Sequence, residues 1–208
     1  MLTEKVDPEA LRRLLDSDPT ERQVHRYIRR HPWVLYWTLI PAAGHSRYVL
    51  PSFPLGASYR TDFAILNSYS GAFEICFIEL EPPTDRTFTK AGNPSRRLAS
   101  AIKQVDDWRA FFEMNQVHVR QTLVNWAKRK DVLGYDSDSE PFNYTGQNLL
   151  DPQTPLLDHY LVVIGRSSLQ SAEIRYLAGR FGRGHSVEVM SYDRLLHLAE
   201  RRYGRKEG

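Results

Sequence analysis

The sequence predicts an α/β protein in which helices flank a mixed central β-sheet. Two apolar strands follow one another over 59–81, and a strand, a helix and a strand alternate over 159–190. An antiparallel pair joined to a parallel crossover makes a mixed sheet. We expect one domain over 1–208, with a helical lead-in at 1–40, a polar insertion at 128–158 and a frayed tail at 203–208.

The composition is typical of a globular protein. The 208 residues are 41% hydrophobic and 25% charged, which is sufficient for a buried core. No apolar run approaches the roughly 18 residues of a membrane span, and the charged N-terminus differs from a secretory signal. We therefore expect a cytoplasmic protein with no membrane partner. The single cysteine, Cys76, excludes an internal disulfide and a cysteine-based zinc site.

The net charge of +3 is less informative than the distribution of the basic residues. One group follows the second strand and another lies near the end of the chain. Solvated helix faces would explain both groups, and so would contacts to a phosphate backbone. The first group is Arg96, Arg97, Lys103, Arg109, Arg120, Lys128, Arg129 and Lys130.

The N-terminal segment predicts two helices. Asp7-Pro8-Glu9 combines a capping residue with proline at the first helical position. Asp18-Pro19-Thr20-Glu21 repeats this start, and His31-Pro32 ends the second helix. Glu21 lies three residues after Asp18, so it could be a capping-box partner or an acid that serves a metal site.

Residues 59–66 and 72–81 are predicted to form an antiparallel hairpin, with Asp62 on its first strand. Side chains alternate between the faces of a strand, so Glu79 and Glu81 share one face. Both faces of the second strand are largely apolar, which is typical of a central strand. Pro82-Pro83 ends this strand directly after Glu81.

The segment after the hairpin predicts a long helix. It starts at Asn93-Pro94 and runs to about Met114, with an apolar stripe of period 3.6. Gln104 lies at the edge of this stripe beside Lys103, where its amide could bond a backbone carbonyl or face an acidic site. The pattern of 117–127 fits a strand or a helix, and the sequence does not decide between them.

The last third of the chain predicts a polar loop and four regular elements. The acids of 135–140 lack the glycine and the terminal glutamate spacing of a calcium loop. The elements that follow are a strand at 159–165, a helix at 171–181, a strand at 186–190 and a helix at 192–202.

Asp62, Glu79 and Glu81 are the candidate catalytic acids. Oxygen ligands of this kind suit a hard cation such as Mg²⁺ or Mn²⁺, which could activate water for phosphodiester hydrolysis. The alternative is a structural set of acids paired with arginines such as Arg60 or Arg86. The sequence has no glycine-rich phosphate loop, and we expect no organic cofactor.

Several segments, in order, resemble the Shedu family of anti-phage proteins. They are Glu21-Arg22-Gln23, Arg60-Thr61-Asp62-Phe63, Ile78-Glu79-Leu80-Glu81-Pro82-Pro83, Ala101-Ile102-Lys103-Gln104 with Trp108, and Ser191-Tyr192-Asp193-Arg194-Leu195-Leu196. The resemblance covers about 20–198. It implies a PD-(D/E)XK restriction-endonuclease-like fold and a metal-dependent DNA endonuclease in a bacterial defence system.

The resemblance also implies roles for single residues. Asp62 and Glu79 correspond to the two metal-binding acids, Glu21 to a helix-borne acid and Gln104 to a glutamine that lines the site. The motif's lysine is Glu81 in this chain. Glu81 could ligate a second cation, or the positive charge could come from Lys90 or Lys103, or cleavage could be weakened or lost.

Three functional alternatives remain open from the sequence. The chain could cleave DNA, it could bind or sense DNA or a protein partner on a nuclease scaffold without cleavage, or its acids could be purely structural. Glu81 at the lysine position favours the second alternative. The resemblance is compatible with a homo-oligomer.

Overall fold

The computed structural model describes residues 7–36, 47–129, 141, 143, 145–170, 176, 181 and 184–203. Its helices are α1 (Pro8–Asp16), α2 (Glu21–Arg30), α3 (Trp33–Tyr36), α4 (Arg96–Met114), α5 (Gln116–Ala127) and α6 (Tyr192–Tyr203). Its strands are β1 (Arg47–Pro51), β2 (Pro54–Leu55), β3 (Tyr59–Arg60), β4 (Phe63–Ser68), β5 (Phe73–Leu80), β6 (Leu156–Val163) and β7 (Glu188–Met190).

Five of the strands form one mixed sheet in the order β1-β4-β5-β6-β7. β4 is antiparallel to both β1 and β5, and β6 is parallel to β7. Phe73 N donates to Pro155 O and Glu81 N donates to Val163 O, so β5 and β6 also run in the same direction. The predicted mixed α/β sheet and the central position of β5 are therefore confirmed.

The chain divides into two compact units. Unit 1 contains Met1–Leu39, Glu79–Gln104 and Leu161–Gly208, and unit 2 contains Ile40–Ile78 and Val105–Tyr160. The prediction of a single domain over 1–208 stays a prediction. Among the described helices, none combines the length and the apolar character that crossing a membrane requires.

The helix starts of unit 1 confirm one capping prediction and correct another. Asp7 caps α1 by accepting a hydrogen bond from Ala10 N at 3.1 Å, as predicted. α2 is capped by Thr20, whose capping-box partner is Gln23. The capping-box interpretation of Glu21 is therefore wrong. Asp18 adopts a φ of 49°, so the chain turns before the helix and Thr20 takes the capping position.

In unit 2, the predicted strand at 59–66 is split into β3 and β4. Thr61 N donates to Phe53 O at 2.9 Å and Ser52 N donates to Asp62 O at 2.7 Å. β3 pairs with β2, whereas β4 pairs with β1 and β5, so the chain changes partners at this break. Residues 67 and 68, predicted as part of a turn, are buried at the end of β4 because cross-strand pairing outweighs their turn preference.

The longer helices also differ from prediction at their ends. Ser95, rather than Asn93, caps α4 by accepting a hydrogen bond from Leu98 N at 3.2 Å. Pro94 instead bridges Phe88 in an isolated β-pair, which keeps the chain extended. The undecided segment 117–127 is helical, as α5. The buried stripe of α4 is confirmed, and it consists of Leu98, Ile102, Val105, Trp108 and Phe112.

Two predicted features lie outside the described residues, wholly or in large part. They are the acidic segment 135–140 and the helix at 171–181, of which only 176 and 181 are described. The predicted strand at 159–165 begins earlier, at Leu156, because Pro155 O already accepts from Phe73 N.

A charged cluster lies at the start of β5 in unit 2. His159 Nε2 lies 2.6 Å from Glu74 Oε1, and the hydroxyl of Tyr69 donates to the same carboxylate. The bond from His159 lowers the pKa of Glu74, and the bond to Glu74 raises the pKa of His159. Arg47 and Asp158 add smaller Coulombic contributions to these shifts. The pair therefore links β5 to β6 in a pH-dependent way.

We expect this pair to stabilise the protein most between pH 4.5 and 6.5, the ordinary pKa values of its members. The His159 contribution is complete below 6.5 and is lost as the pH rises through its raised pKa. The Glu74 contribution is complete above 4.5 and is lost as the pH falls through its lowered pKa. His159 is 53% exposed, so solvent screening limits the effect to about 0.5–1 kcal/mol.

Urea unfolding of the wild type and of Glu74→Gln between pH 4 and 9 measures this contribution. The stability difference between the two proteins should be largest inside the window and should shrink on either side. Glu113→Gln, an exposed acid on α4, is the matched control and should give a small, nearly constant difference. A Glu74→Gln difference that is equally large at pH 5.5 and 9 would contradict the prediction.

Candidate functional site

The end of β5 is held from two sides within unit 1. Glu81 N donates to Val163 O at 2.9 Å, and the hydroxyl of the fully buried Tyr192 donates to Glu81 O at 2.8 Å. Pro82 has no N–H group, so the ladder ends here. The backbone of 79–81 is thus fixed, and strand alternation turns Glu79 and Glu81 to the same face.

Glu81 is largely buried, and Arg97 is a charged neighbour. The side chain of Glu81 is 9% exposed, and its Oε2 lies 3.9 Å from Nη1 of Arg97. Nε of the same guanidinium lies 3.4 Å from Oδ2 of Asp85. Burial of a carboxylate is costly unless a cation lies close by. The cations that the sequence suggested near the acids were Arg60, Arg86, Lys90 and Lys103, whereas the structure places Arg97 beside Glu81.

The first three turns of α4 bring Arg97 and the candidate Gln104 onto one side of the helix. Arg97 and Gln104 are seven residues apart, which is about two turns or 10 Å along the axis. They therefore share a helix face, and Gln104 is half-buried. Lys103 is exposed and lies about 100° around the helix from Gln104. The helix geometry thus groups Gln104 with Arg97 and directs Lys103 elsewhere.

The two remaining candidates lie at the starts of other elements. Glu21 is the first residue of α2 in unit 1 and is half-buried. Asp62 belongs to unit 2, where it directly precedes β4 and is also half-buried. The adjacent residue Phe63 forms the terminal β4–β5 register pair with Ile78. The assignment of Asp62 as a metal ligand stays a prediction.

The donor chemistry of these residues suits a hard cation. In the part of the chain that the structure describes, no group of three or more His, Cys, Asp or Glu side chains is placed to hold a metal ion. Mg²⁺ sites commonly use one or two carboxylates and complete their octahedron with waters and substrate phosphates. The all-oxygen character of the candidates fits Mg²⁺ or Mn²⁺ in such a site.

The Ser191-Tyr192-Asp193 segment stabilises the end of β5 through hydrogen bonds. Tyr192 N donates to Gly165 O at 3.0 Å, in addition to the hydroxyl bond to Glu81. Asp193 accepts from Arg166 Nε at 2.8 Å and from Ser167 N. Arg166 also donates to Leu15 O, which ties α1 to the same network. Tyr192 therefore fixes the backbone of Glu81, and the network of Asp193 and Arg166 stabilises unit 1.

Arg97 and Tyr192 both contact Glu81, and the sequence alone did not predict either contact. Arg97 stands out only by its place in the first turn of α4, because an exposed arginine has no periodic signal. Tyr192 lies in a segment that resembles the family, but sequence alone does not show that its hydroxyl meets Glu81 O.

Basic side chains are frequent in the same part of unit 1. Five of them are exposed in the loop after β5 and at the start of α4. Such residues suit contact with an anionic backbone, which is mainly electrostatic. They are Arg86, Lys90, Arg96, Arg97 and Lys103.

Two comparisons with known proteins bear on this site. No curated protein shows significant similarity to the chain. The family profile described as "Shedu protein SduA, C-terminal" matches residues 18–196. This span contains Glu21, Asp62 and the Glu79–Glu81 segment, and it confirms the resemblance found in the sequence. Family membership associates the protein with anti-phage defence in bacteria. The chain belongs to the Shedu SduA C-terminal family.

Proposed function

We propose that this protein is a nuclease that hydrolyses phosphodiester bonds in DNA with Mg²⁺ or Mn²⁺ during anti-phage defence. The end of β5 carries the proposal. There, Glu79 and Glu81 lie at the end of a central strand. Hydrogen bonds to Val163 and from Tyr192 hold the backbone at Glu81. Hydrolysis requires the catalytic acids to be held in a fixed geometry, and a rigid strand end provides this. The match to the Shedu family provides independent support for a role in defence.

The reaction needs groups that bind phosphate, orient water and accept charge. The oxygen of a water molecule bonds to phosphorus, and the bond from phosphorus to the leaving oxygen breaks. The water loses one proton and the leaving oxygen gains one, so one product ends in a phosphate and the other in a hydroxyl. A bound divalent cation lowers the pKa of the water and offsets negative charge on the phosphate.

Each candidate has a distinct proposed role in this reaction. Asp62 and Glu79 would hold the cation, while Glu21 and Glu81 would add carboxylate oxygens to it or to its waters. The half-buried Gln104 would orient water or a phosphate oxygen through its amide. Lys103, which is exposed, would contact the DNA backbone rather than the reacting phosphate.

The proposal is tested by incubating the purified protein with supercoiled and linear DNA in Mg²⁺ or Mn²⁺. We expect cleavage by the wild type and a loss of at least about 100-fold in Glu79→Gln and Asp62→Asn, because both changes remove a charged ligand. Titration of Mn²⁺ by calorimetry, without DNA, should show weaker binding by the same two variants.

Asp107→Asn is the matched control, since Asp107 is an exposed acid on α4 outside the candidate site. It should cleave DNA and bind Mn²⁺ like the wild type. Circular dichroism should show that all the variants remain folded. Folded Glu79→Gln protein that cleaves DNA at the wild-type rate would contradict the assignment of the site.

A DNA-binding or sensing module without cleavage is the second candidate function. It is favoured by Glu81, whose carboxylate is buried beside Arg97 where the family motif has a lysine. The same experiment separates the two functions. Salt-dependent DNA binding by a wild-type protein that does not cleave in either metal would favour the binding module.

A further inference from the structure

The guanidinium of Arg97 is oriented by two carboxylates but is not enclosed by them. Nε faces Asp85 at 3.4 Å and Nη1 faces Glu81 at 3.9 Å. Both distances exceed the 2.7–2.9 Å of a tight charge-assisted hydrogen bond, as a rough guide. The side chain remains 59% exposed. Because a guanidinium has five N–H donors, several of them remain available to another acceptor.

The carboxylate of Glu81 creates a need for positive charge at this place. Phosphodiester cleavage adds negative charge to the phosphate oxygens in the transition state, and Glu81 increases the repulsion. Lys90 and Lys103 are both exposed, and Lys103 lies on another face of α4 from Arg97. Arg97 is a basic residue that the structure places against Glu81, at 3.9 Å.

We infer that Arg97 is a phosphate-binding catalytic residue, and that Asp85 and Glu81 are positioning residues that aim its guanidinium. The inference rests on the proposed nuclease function. Two N–H groups of a guanidinium match the two non-bridging oxygens of a phosphodiester, which is the basis of bidentate recognition. Gln104, on the same face of α4, would extend this polar surface.

A phosphate-binding role for Arg97 also explains why two acids, Asp85 and Glu81, contact this one arginine. A long side chain that is free in solution loses rotamer entropy when it binds a phosphate. Contacts with Asp85 and Glu81 restrict Arg97 before DNA arrives, so less entropy is lost at binding. Asp85 is 39% exposed and lies in the loop after β5, so it can restrain Nε without covering the rest of the guanidinium.

Single-turnover cleavage of supercoiled DNA in Mn²⁺, with DNA affinity measured separately by fluorescence anisotropy in Ca²⁺, tests the inference. At saturating DNA, we expect Arg97→Ala to lower the cleavage rate about 100- to 1,000-fold, as for the loss of one transition-state donor. Its DNA affinity should fall only a few-fold. Arg97→Lys should retain more activity than Arg97→Ala, and low millimolar guanidinium should partly restore cleavage by Arg97→Ala.

Arg30→Ala is the matched control, because Arg30 is an exposed arginine at the end of α2 that has no assigned role in the candidate site. It should cleave DNA at nearly the wild-type rate. Asp85→Asn should lower the cleavage rate less than Arg97→Ala does. Thermal unfolding should show that the Tm of every variant is well above the assay temperature. A loss of cleavage would then not result from unfolding.

The possible outcomes separate this inference from the proposed function. An active wild type with Arg97→Ala as active as Arg30→Ala would overturn the role of Arg97 and leave the nuclease intact. A second contradicting result would be an active wild type in which Arg97→Ala lowers the DNA affinity but leaves the cleavage rate at saturating DNA unchanged. Arg97 would then be a binding contact only, and the inference would be overturned. A wild type that binds DNA but cleaves in neither metal would overturn the nuclease proposal and the inference together.

Discussion

Replacing Arg120 with methionine should lower the free energy of unfolding by about 3–5 kcal/mol, since it removes the charged partner from a buried network. Arg120 on α5 is only 4% exposed. Its guanidinium donates to Leu149 O at 2.7 Å, to Asp151 O at 3.2 Å and to Thr154 O at 2.7 Å. Methionine keeps most of the apolar stem, so the loss would come mainly from backbone carbonyls that lose their donor.

The charge of Arg120 is matched to this environment. Burial lowers the pKa of the guanidinium, and the charge of Asp151 opposes that shift. The planar guanidinium of Arg120 donates to three carbonyl groups, whereas lysine would supply a single ammonium group at this place. Arg120→Lys should therefore also be strongly destabilised.

Urea unfolding, followed by circular dichroism, measures these changes. Gln121→Ala is the matched control, because Gln121 is exposed on the same helix and bonds only weakly to Asn125, at 3.4 Å. Its effect should stay within about 0.5 kcal/mol. A stability of Arg120→Met within that same range would show that solvent satisfies the carbonyls and that Arg120 does not hold residues 149–154.

Replacing Gly165 with alanine should lower the free energy of unfolding by about 2–4 kcal/mol, through backbone strain and a forced shift of a neighbouring loop. Gly165 has a φ of 69°, and a Cβ atom there would lie within 3.0 Å of Asp85 O. Gly165 N also donates to Pro82 O, so the backbone cannot easily move aside. The loop displaced by the new Cβ carries Asp85, which contacts Arg97.

Gly146→Ala provides a control for strain alone. Gly146 has a φ of 79°, but a Cβ atom there would meet nothing within 4 Å. Its substitution should cost about 1 kcal/mol, the usual cost of alanine in a left-handed conformation. Thermal and urea unfolding of the two variants would separate strain from close approach. If Gly165→Ala and Gly146→Ala lowered the free energy of unfolding equally, the loop at Asp85 would move aside without an energetic cost.

Gly165→Ala should also affect cleavage if the proposed function holds. Movement of Asp85 would loosen the restraint on Nε of Arg97, so the saturated cleavage rate should fall even at temperatures where the variant is folded. Gly146→Ala, which touches no residue of the candidate site, should cleave DNA at the wild-type rate.

Local patterns predicted the features that depend on a few neighbouring residues. Asp7-Pro8 marked the start of α1, the 3.6-residue stripe marked the buried face of α4, and the apolar residues on both faces of 72–81 marked β5 as a central strand. The ordered series of short segments from Glu21 to Leu196 was sufficient to recognise the family, which the profile match over 18–196 confirms.

Other local patterns were misleading because distant partners outweighed them. The turn residues Asn67 and Ser68 lie in β4, paired with Glu74 and Phe73. The strand predicted at 59–66 breaks at Thr61-Asp62, because its two halves pair with different strands. The pattern of 117–127 was ambiguous between a strand and a helix, and the structure shows a helix, α5, that buries Val119, Leu123 and Val124.

The sequence by itself determined the α/β class, the family and the central strand, because these depend on residue type and spacing. Only the tertiary structure decided that Arg97 faces Glu81, that Tyr192 holds the end of β5 and that Gly165 approaches Asp85. These contacts join residues that are 16, 111 and 80 positions apart in the chain. No local propensity encodes such pairs, because they form only when burial of the sheet brings separate segments together.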